Sequence, residues 1–417
     1  MIIKRQILSH IERHLAEPEI TVLVGARQVG KTTLLRHIEE KLRQKGEKTI
    51  FFNLDVEADM EFFSSQQKLI NKLRFEFGSQ KAYVFIDEIQ RKPDAGLFLK
   101  GLYDLRLPYK FVVSGSGSLD LKAKVHESLA GRKRLFVLHP VSLLEFIDYR
   151  TDYKYSDRLT DFLKINQTEA ENLLIEYLNF GGYPKVILLE TLEEKMQYLT
   201  ELFDAYFIKD LEYFLGYKAQ HLYPEMFRYL AHHQGKILNY NKLAQHLNLS
   251  IYKTKQLIWY ARQTFVISLL PPYHRNFAKE LKLSPVVYFE DLGLANFSKG
   301  QLGKLFSHQD LAFQFQNLVH NLLIDYCKKH NYTLHYWRTS DGSEIDFVID
   351  KFTDVVPVEI KFRQMSRPSL TKAFHSFIRR YKPSTGYLIN FNLAAEIRIN
   401  STTVKLLPWY EIFGGVI

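Results

Sequence analysis

Eight residues, Gly25-Ala26-Arg27-Gln28-Val29-Gly30-Lys31-Thr32, limit what this chain can fold into more than any other stretch. They fit the spacing G-x-x-x-x-G-K-[ST], which arises by chance in a chain of this length roughly 1–2% of the time when glycine is near 7% of residues. The flanks add to the match. Ile20-Thr21-Val22-Leu23-Val24 is the short β-branched run expected of a buried parallel strand, and Leu34, Leu35, Ile38 and Leu42 then recur at helical spacing. Strand, glycine loop and helix in that order make a phosphate cradle. The glycines let the backbone curl so that several N–H groups point at one phosphate, and the helix begins there with its positive end. Gly25, Ala26, Arg27, Gln28, Val29, Gly30, Lys31, Thr32 and Thr33 are the expected nucleotide-binding residues. Lys31 would reach the β- and γ-phosphates and the Thr32 hydroxyl would ligate Mg²⁺. The bland alternative is a structural glycine turn.

A second element is needed to hold the ion and activate water. Tyr83-Val84-Phe85-Ile86 reads as a buried strand with Asp87-Glu88 at its C-terminal end, where ligands bind in open α/β sheets. Asp87 would hold the metal through water, and Glu88 would be the general base. Tyr109–Ser116 is a third strand pattern ending in small hydroxyl residues. Ser114 is the candidate there for sensing the γ-phosphate, against a simple turn role. Thr49–Asp55 is a fourth. Strands alternating with helices predict a parallel α/β sheet.

These 417 residues have length for two to four domains. With 46% apolar and 24% charged residues, the composition argues against disorder and against a coiled-coil rod. No apolar run approaches a membrane span, and the first residues lack a signal-peptide core. Cys327 is the single cysteine, which excludes an intramolecular disulfide and any multi-cysteine zinc site. A cytoplasmic setting with no membrane partner is the expectation.

The net charge is +10, and much of it is concentrated. From Arg228 to Lys282 there are nine Lys/Arg against Glu280 alone. Phosphate is the natural partner of such a stretch, and a solvated face is the alternative. Its pattern is helix, helix, hairpin. Asn241–Leu249 is one short helix. Ser250 then caps Ile251–Arg262, with Ile251, Leu257, Ile258 and Ala261 inward. Phe265–Leu270 and Leu281–Phe289 make two strands around Pro271-Pro272. Tyr252, Lys253, Lys255, Gln256 and Trp259 point outward in this reading. It places Lys253 and Lys255 on DNA phosphates and Gln256 on base edges, with Tyr252 beside them. A protein-packing role is the alternative. Between Leu143 and Tyr217 the pattern is helical, broken at Gly181-Gly182-Tyr183-Pro184, and includes a face of Met196, Leu199, Leu202, Phe203, Tyr206, Phe207 and Leu211.

Near the C-terminus, Ile345–Asp350 and Val355–Phe362 read as two strands. Alternation puts Glu359 and Lys361 on one face. If the strands adjoin, Asp346 and Glu359 meet, and two carboxylates with the Ile360 carbonyl can hold Mg²⁺. Lys361 would orient or activate water at a phosphodiester. Lys372, Arg379, Arg380 and Lys382 make the next helix basic, which suits cutting or merely binding nucleic acid.

Taken together, the chain resembles a family of prokaryotic AAA-type P-loop ATPases with a C-terminal winged helix and a restriction-endonuclease-like domain. Further stretches carry the likeness: Phe52-Asn53-Leu54-Asp55, Ile86–Gln90, Ser128-Leu129-Ala130-Gly131-Arg132, Leu138–Ser142, Phe180–Pro184, Tyr288–Leu294, Tyr336-Trp337-Arg338-Thr339 and Glu344–Phe347. The resemblance implies ATP and Mg²⁺ as cofactors, ATP hydrolysis and a capacity for homo-oligomers. The fold class it implies is α/β: a P-loop NTPase parallel sheet (1–142) with a helical lid (143–218), a winged helix (219–295), and an α/β restriction-endonuclease-like domain (296–417). It makes Arg132 the candidate for an arginine against the γ-phosphate, in cis or from a neighbouring subunit, although Lys133 and Arg134 also allow a basic turn. One departure stands out. Related nuclease-like domains carry a glutamate on the helix before this sheet, and Gln316 occupies that place here. An amide can ligate through oxygen but adds no charge, which weakens cleavage. The resulting expectation is an ATP-hydrolysing, DNA-binding switch or motor. A nucleotide-controlled nuclease and a protein-binding regulator are the alternatives.

Overall fold

A computed structural model describes residues 3–116, 129–215, 222–274, 283–305, 308–339 and 341–414, with only the backbone described at 116, 205–215, 308–310 and 414. Expectations placed on Ser128, Arg275, Lys279, Glu280, Leu281 and Lys282 lie outside these residues. So do those on the side chains of Tyr206, Phe207 and Leu211. The chain divides into two units. One is Met1–Glu145 with Tyr183–Lys185 and Leu257–Val266; the other is Phe146–Gly182, Val186–Gln256 and Ile267–Ile417.

The first unit is built on a five-stranded sheet. Its strands are β1 (Ile20–Gly25), β2 (Thr49–Asn53), β3 (Ala82–Asp87), β4 (Tyr109–Ser116) and β5 (Lys133–Leu138), in spatial order β2-β3-β4-β1-β5. Every pairing is parallel. The near-continuous apolar runs of β1 and β3 are buried at every position, as strands covered on both faces must be. Its longer helices are α1 (Ile7–His14), α2 (Lys31–Gln44), α3 (Gln66–Phe77) and α4 (Ala95–Asp104). The core centres on Val22, Val24, Val84, Ile86 and Val113 with Phe52, Phe63 and Leu99.

The order matters for function. β4 lies between β1 and β3, so its C-terminal end stands between the phosphate loop and Asp87. β5 was not legible as a strand. It is the sheet edge: its apolar run, Leu135-Phe136-Val137-Leu138, follows Lys133-Arg134, and Arg134 and Leu135 are exposed, so it does not read as a strand buried on both faces.

In the second unit, helices α5 (Leu143–Arg150, begun in the first unit), α6 (Leu159–Ile165), α7 (Gln167–Phe180), α8 (Pro184–Leu188) and α9 (Leu192–Leu215) fill the expected helical stretch. Leu199, Leu202 and Phe203 of α9 are buried, but Met196 is 44% exposed, contrary to its expected inward place. Then come α10 (Leu222–His232), α11 (Tyr240–His246), α12 (Ile251–Gln263), β6 (Ile267–Leu270) and β7 (Val286–Phe289). β6 and β7 pair antiparallel, and Ile237 adds a bridge to Val286. Ser250 caps α12 by accepting the Lys253 amide. Ile251 corrects the sequence reading: at the first position of its helix it is 46% exposed, whereas Leu257, Ile258 and Ala261 are buried.

α13 (Leu292–Lys299) and α14 (His308–His330) lead into a six-stranded sheet of β8 (Thr333–Arg338), β9 (Glu344–Asp350), β10 (Val355–Lys361), β11 (Thr385–Asn390), β12 (Ala395–Ile399) and β13 (Thr402–Pro408), ordered β12-β13-β11-β10-β9-β8. β8, β9 and β10 run antiparallel in turn, whereas β10-β11 and β11-β13 are parallel. Helix α15 (Lys372–Tyr381) makes the crossover that the parallel β10-β11 pair requires. Buried amides tie the helices together: Asn179 and Asn296 bond the backbone of residues 305, 178 and 179, and Gln314 donates to Asn296 at 2.6 Å.

Candidate functional site

β1 ends at Gly25, whose place is set by its neighbour. A Cβ there would stand 2.2 Å from the Leu138 carbonyl oxygen of β5. Gly30 is set instead by its own backbone, at φ +96°, which favours glycine. Gln28 shares that left-handed region at φ 58°. Lys31 opens α2 and is buried, its Nζ donating to the Ala26 carbonyl at 2.7 Å and to that of Gly25 at 3.2 Å. Burial pushes its pKa down to about 8, against the pull of Glu88 and Asp87. Thr32 and Thr33 are exposed at the start of α2, Arg27 is half-buried, and Ala26 and Val29 are buried.

Three strand ends converge beside this loop. Thr32 Oγ1 donates to Asp87 Oδ2 at 2.6 Å, and Ser114 Oγ donates to Asp87 Oδ1. Asp87 and Ser114 are buried, so the carboxylate is fixed between two hydroxyls. Ser114 lies within β4, not in a turn, and its hydroxyl is committed to Asp87. Glu88 follows at φ 55°, a left-handed backbone that is uncommon outside glycine and clusters at functional sites. Its carboxylate accepts from the Gln90 amide.

Hard oxygen donors side by side, a hydroxyl and a carboxylate at 2.6 Å, suit Mg²⁺. The left-handed Gly30 at the mouth of α2 suits a phosphate.

Arg132 stands elsewhere. It precedes β5, whose Lys133 pairs with Ile20 at the beginning of β1, while the loop leaves β1 at its other end. At about 3.3 Å per residue that is on the order of 17 Å away. Its Nε donates to Asp104 Oδ1 at 2.7 Å. The in-cis reading of Arg132 is therefore corrected: within one chain it lies at the N-terminal end of the strands, opposite the end that carries the phosphate loop.

Sequence reasoning missed Arg5 and Glu145. Arg5 Nε bonds Glu145 Oε2 at 3.1 Å, Nη1 donates to the Val29 carbonyl at 3.1 Å, and Nη2 donates to the carbonyls of His139 (2.6 Å) and Pro140 (3.1 Å). Glu145 also accepts the Gln6 and Ser142 amides. This clamp holds the outer side of the phosphate loop. Its partners are 140 residues apart, so no local pattern marks them.

In the second unit, Asp346 and Glu359 are brought together by the β9-β10 register, in which Phe347 faces Val358. Asp346 Oδ2 accepts the Ile360 amide at 2.8 Å and Oδ1 accepts Gln316 Nε2 at 2.8 Å. Gln316 thus turns its nitrogen, not the expected oxygen, toward the carboxylate, because two oxygens at that distance would repel. Glu359 Oε1 pairs with Lys361 Nζ at 2.7 Å, and Oε2 accepts the Thr371 hydroxyl at 2.8 Å. Glu344, two residues before Asp346, pairs with Arg338 at 3.3 Å. Burial, with Glu359 nearby, raises the Asp346 pKa to about 7, although its side chain keeps some contact with solvent. On α12, Tyr252, Lys253, Lys255 and Gln256 are exposed as expected, Gln256 Nε2 donating to the Tyr252 hydroxyl at 3.1 Å.

Residues 17–147, which hold the loop, Asp87 and Ser114, match an AAA domain. The first unit thus carries an AAA-type P-loop domain. Residues 171–305 and 313–412 match two domains of unknown function, DUF8612 and DUF4143. The chain is 24% identical over 380 residues to an uncharacterized protein of Mycobacterium tuberculosis, covering 90% of this chain and 77% of that one. It is 23% identical over 432 residues to an uncharacterized protein of Methanocaldococcus jannaschii, covering 98% and 87%. Among solved structures it is similar to AMPPCP-bound DnaA from Aquifex aeolicus, with TM-score 0.32, 13% identity, and 64% and 90% of the two chains covered. Drosophila ORC bound to AT-rich DNA and Cdc6 gives TM-score 0.26, 10% identity, and 72% and 91%. Among the described residues no helix is long and apolar enough to cross a membrane.

Proposed function

We propose that this chain is an ATP-hydrolysing, DNA-binding switch or motor. The observation that carries the ATPase reading is Asp87, held at once by Thr32 of the phosphate loop and Ser114 of the intervening strand. Loop amides and Lys31 take the phosphates, and Thr32 with Asp87 holds Mg²⁺. The ion, when bound, neutralises charge developing on the transferred phosphoryl group. Glu88 orients the attacking water and accepts its proton. Ser114 keeps Asp87 in place. Arg132 in this reading serves only a neighbouring copy.

Lys31→Ala is expected to abolish tight uptake of ATP, read by isothermal titration. Glu88→Gln should keep uptake and lower turnover at least about a hundredfold. Normal hydrolysis by Glu88→Gln would remove Glu88 as the base.

The DNA part rests on the order α10, Ile237 bridge, α11, α12, β6, β7, which suits a winged helix, and on the exposed cations of α12. We place its limits at 219–295, after a lid at 143–218 and before a restriction-endonuclease-like domain at 296–417.

The meeting of Asp346 and Glu359 favours a second reading, a metal-dependent nuclease. The residues fit a divalent ion poorly. Gln316 turns an N–H donor, not an oxygen, toward Asp346, and the Lys361 ammonium already pairs with Glu359, so an ion would meet a donor and a positive charge where it needs oxygens. Nucleic-acid binding without cleavage is the better reading of this sheet. Mg²⁺- or Mn²⁺-dependent cutting that is lost in Asp346→Ala but kept in Lys31→Ala would reverse that preference.

A further inference from the structure

From Lys361 to Ala395 the sequence has seven Lys/Arg and no Asp or Glu: Lys361, Arg363, Arg367, Lys372, Arg379, Arg380 and Lys382. Lys361 pairs with Glu359. Arg363, Arg367, Lys372, Arg379, Arg380 and Lys382 are all exposed.

Helix α15 sorts these charges by face. Ala373, Phe374, Phe377, Ile378 and Tyr381 are buried against the sheet. Lys372, His375 and Arg379 recur at i, i+3 and i+7 on the exposed side, and with Ile399 and Asn400 they line a cavity of about 380 Å³ that contains no acidic residue. A basic surface helix ordinarily carries acids three or four residues away, which offset repulsion. This one has none. Arg379 and Arg380 sit in the last turn, where the helix dipole welcomes a cation. Lys372 is different. It opens the helix directly after the Thr371 cap, where the dipole opposes a positive charge. A row of cations on one helix face with no acid on that face suits a polyanionic partner.

The geometry suits a phosphate backbone. Seven residues of helix separate Lys372 from Arg379, about 10 Å at 1.5 Å per residue. Phosphates along one DNA strand are spaced closely enough that a row of this length can reach two of them. Thr371, the cap, also donates to Glu359, so the basic row begins beside the Asp346–Glu359 pair.

We propose that the exposed face of α15, centred on Lys372, His375 and Arg379, is a second docking surface for duplex DNA, separate from α12. The proposal rests on the reading of the chain as a DNA binder. It adds that the C-terminal sheet holds the duplex by its phosphates, with no readout of sequence.

The test is fluorescence anisotropy of a labelled duplex of about 25 base pairs with the full chain, titrated from 50 to 300 mM salt (about the range in which counterion release is steep). Lys372→Ala/Arg379→Ala is expected to weaken binding about tenfold near 150 mM salt and to lower the slope of log affinity against log salt by about two. Lys372→Arg/Arg379→Lys should bind like the parent chain. Lys253→Ala/Lys255→Ala separates the two surfaces. If that variant abolishes binding while Lys372→Ala/Arg379→Ala leaves affinity and slope unchanged, α15 is not a docking surface and the winged-helix reading stands. If the parent chain binds no duplex, both fall. Tighter binding of single-stranded DNA or RNA than of duplex overturns the assignment of partner. Both double variants change exposed side chains, so unaltered melting temperatures confirm that folding is intact.

Discussion

Arg5 carries its charge into a nearly closed setting, with 9% of the side chain exposed and Glu145 at 8%. Its donors meet one carboxylate and three carbonyls, a fork that a lysine ammonium cannot reproduce. Because one of those carbonyls is Val29, Arg5 is a positioning residue for the phosphate loop. Arg5→Lys is expected to lower kcat/KM for ATP by ten- to a hundredfold, on the order expected of a small misplacement. Glu145→Gln should do likewise, because one amide oxygen cannot take the donors that two carboxylate oxygens take. A melting point lowered with kcat/KM unchanged would make the clamp purely structural. Asp346 gives a pH signature. Its folded pKa of about 7 lies above the ordinary 3.8. Between those values the folded chain keeps a proton that the unfolded chain releases, so stability falls as pH rises through that window. The cost is complete above pH 7, at about 1–2 kcal/mol once residual solvent contact is allowed for. Asp346→Asn should flatten this dependence and raise the urea midpoint at pH 8 but not at pH 4.

At the scale of elements, the two glycines of the phosphate loop behave differently. Gly25→Ala would drive a Cβ into the Leu138 carbonyl, so β1 and β5 must part. Gly30 has open space, with Pro184 Cγ 4.0 Å from an added Cβ, and only its left-handed backbone opposes alanine. Gly25→Ala should cost about 2–4 kcal/mol and Gly30→Ala about 1–2 kcal/mol, measured by chemical denaturation. Equal costs would mean that β5 gives way freely. The contrast also explains what the sequence made legible. Strand, loop and helix around Gly25–Thr32 are local, so their spacing shows them, and Asp87-Glu88 closes an apolar run. β5 has an apolar run, Leu135-Phe136-Val137-Leu138, but it follows Lys133-Arg134 on a sheet edge, and its partial exposure hides it among basic turn residues. Arg5 and Glu145 meet only through tertiary structure. Ile251 misled because its apolar side chain falls in the first turn of α12, outside the buried stripe. Gln316 misled because sequence shows an amide but not which end faces Asp346.

At the scale of the whole molecule, the nucleotide residues all lie in the first unit and the carboxylate pair with α15 in the second. A ligand stabilises only the cooperative body that binds it. ATP with Mg²⁺ at about a hundred times its Kd adds about 2.7 kcal/mol to that body, which for a unit of this size raises its transition by about 5–10 °C. The chain's own probes can separate the two. Trp337 and Trp409 are buried in the second unit, at 2% and 3% exposure, while Trp259 is in the first and half-exposed. Calorimetry should therefore show a transition that moves up with ATP, while the fluorescence change from Trp337 and Trp409 stays at its ligand-free temperature. Lys31→Ala should erase the calorimetric shift and leave the fluorescence transition where it was. If both transitions rise together with ATP, the units unfold as one body, and occupancy of the phosphate loop is felt energetically as far as the C-terminal sheet. That outcome would refute independent unfolding of the two units.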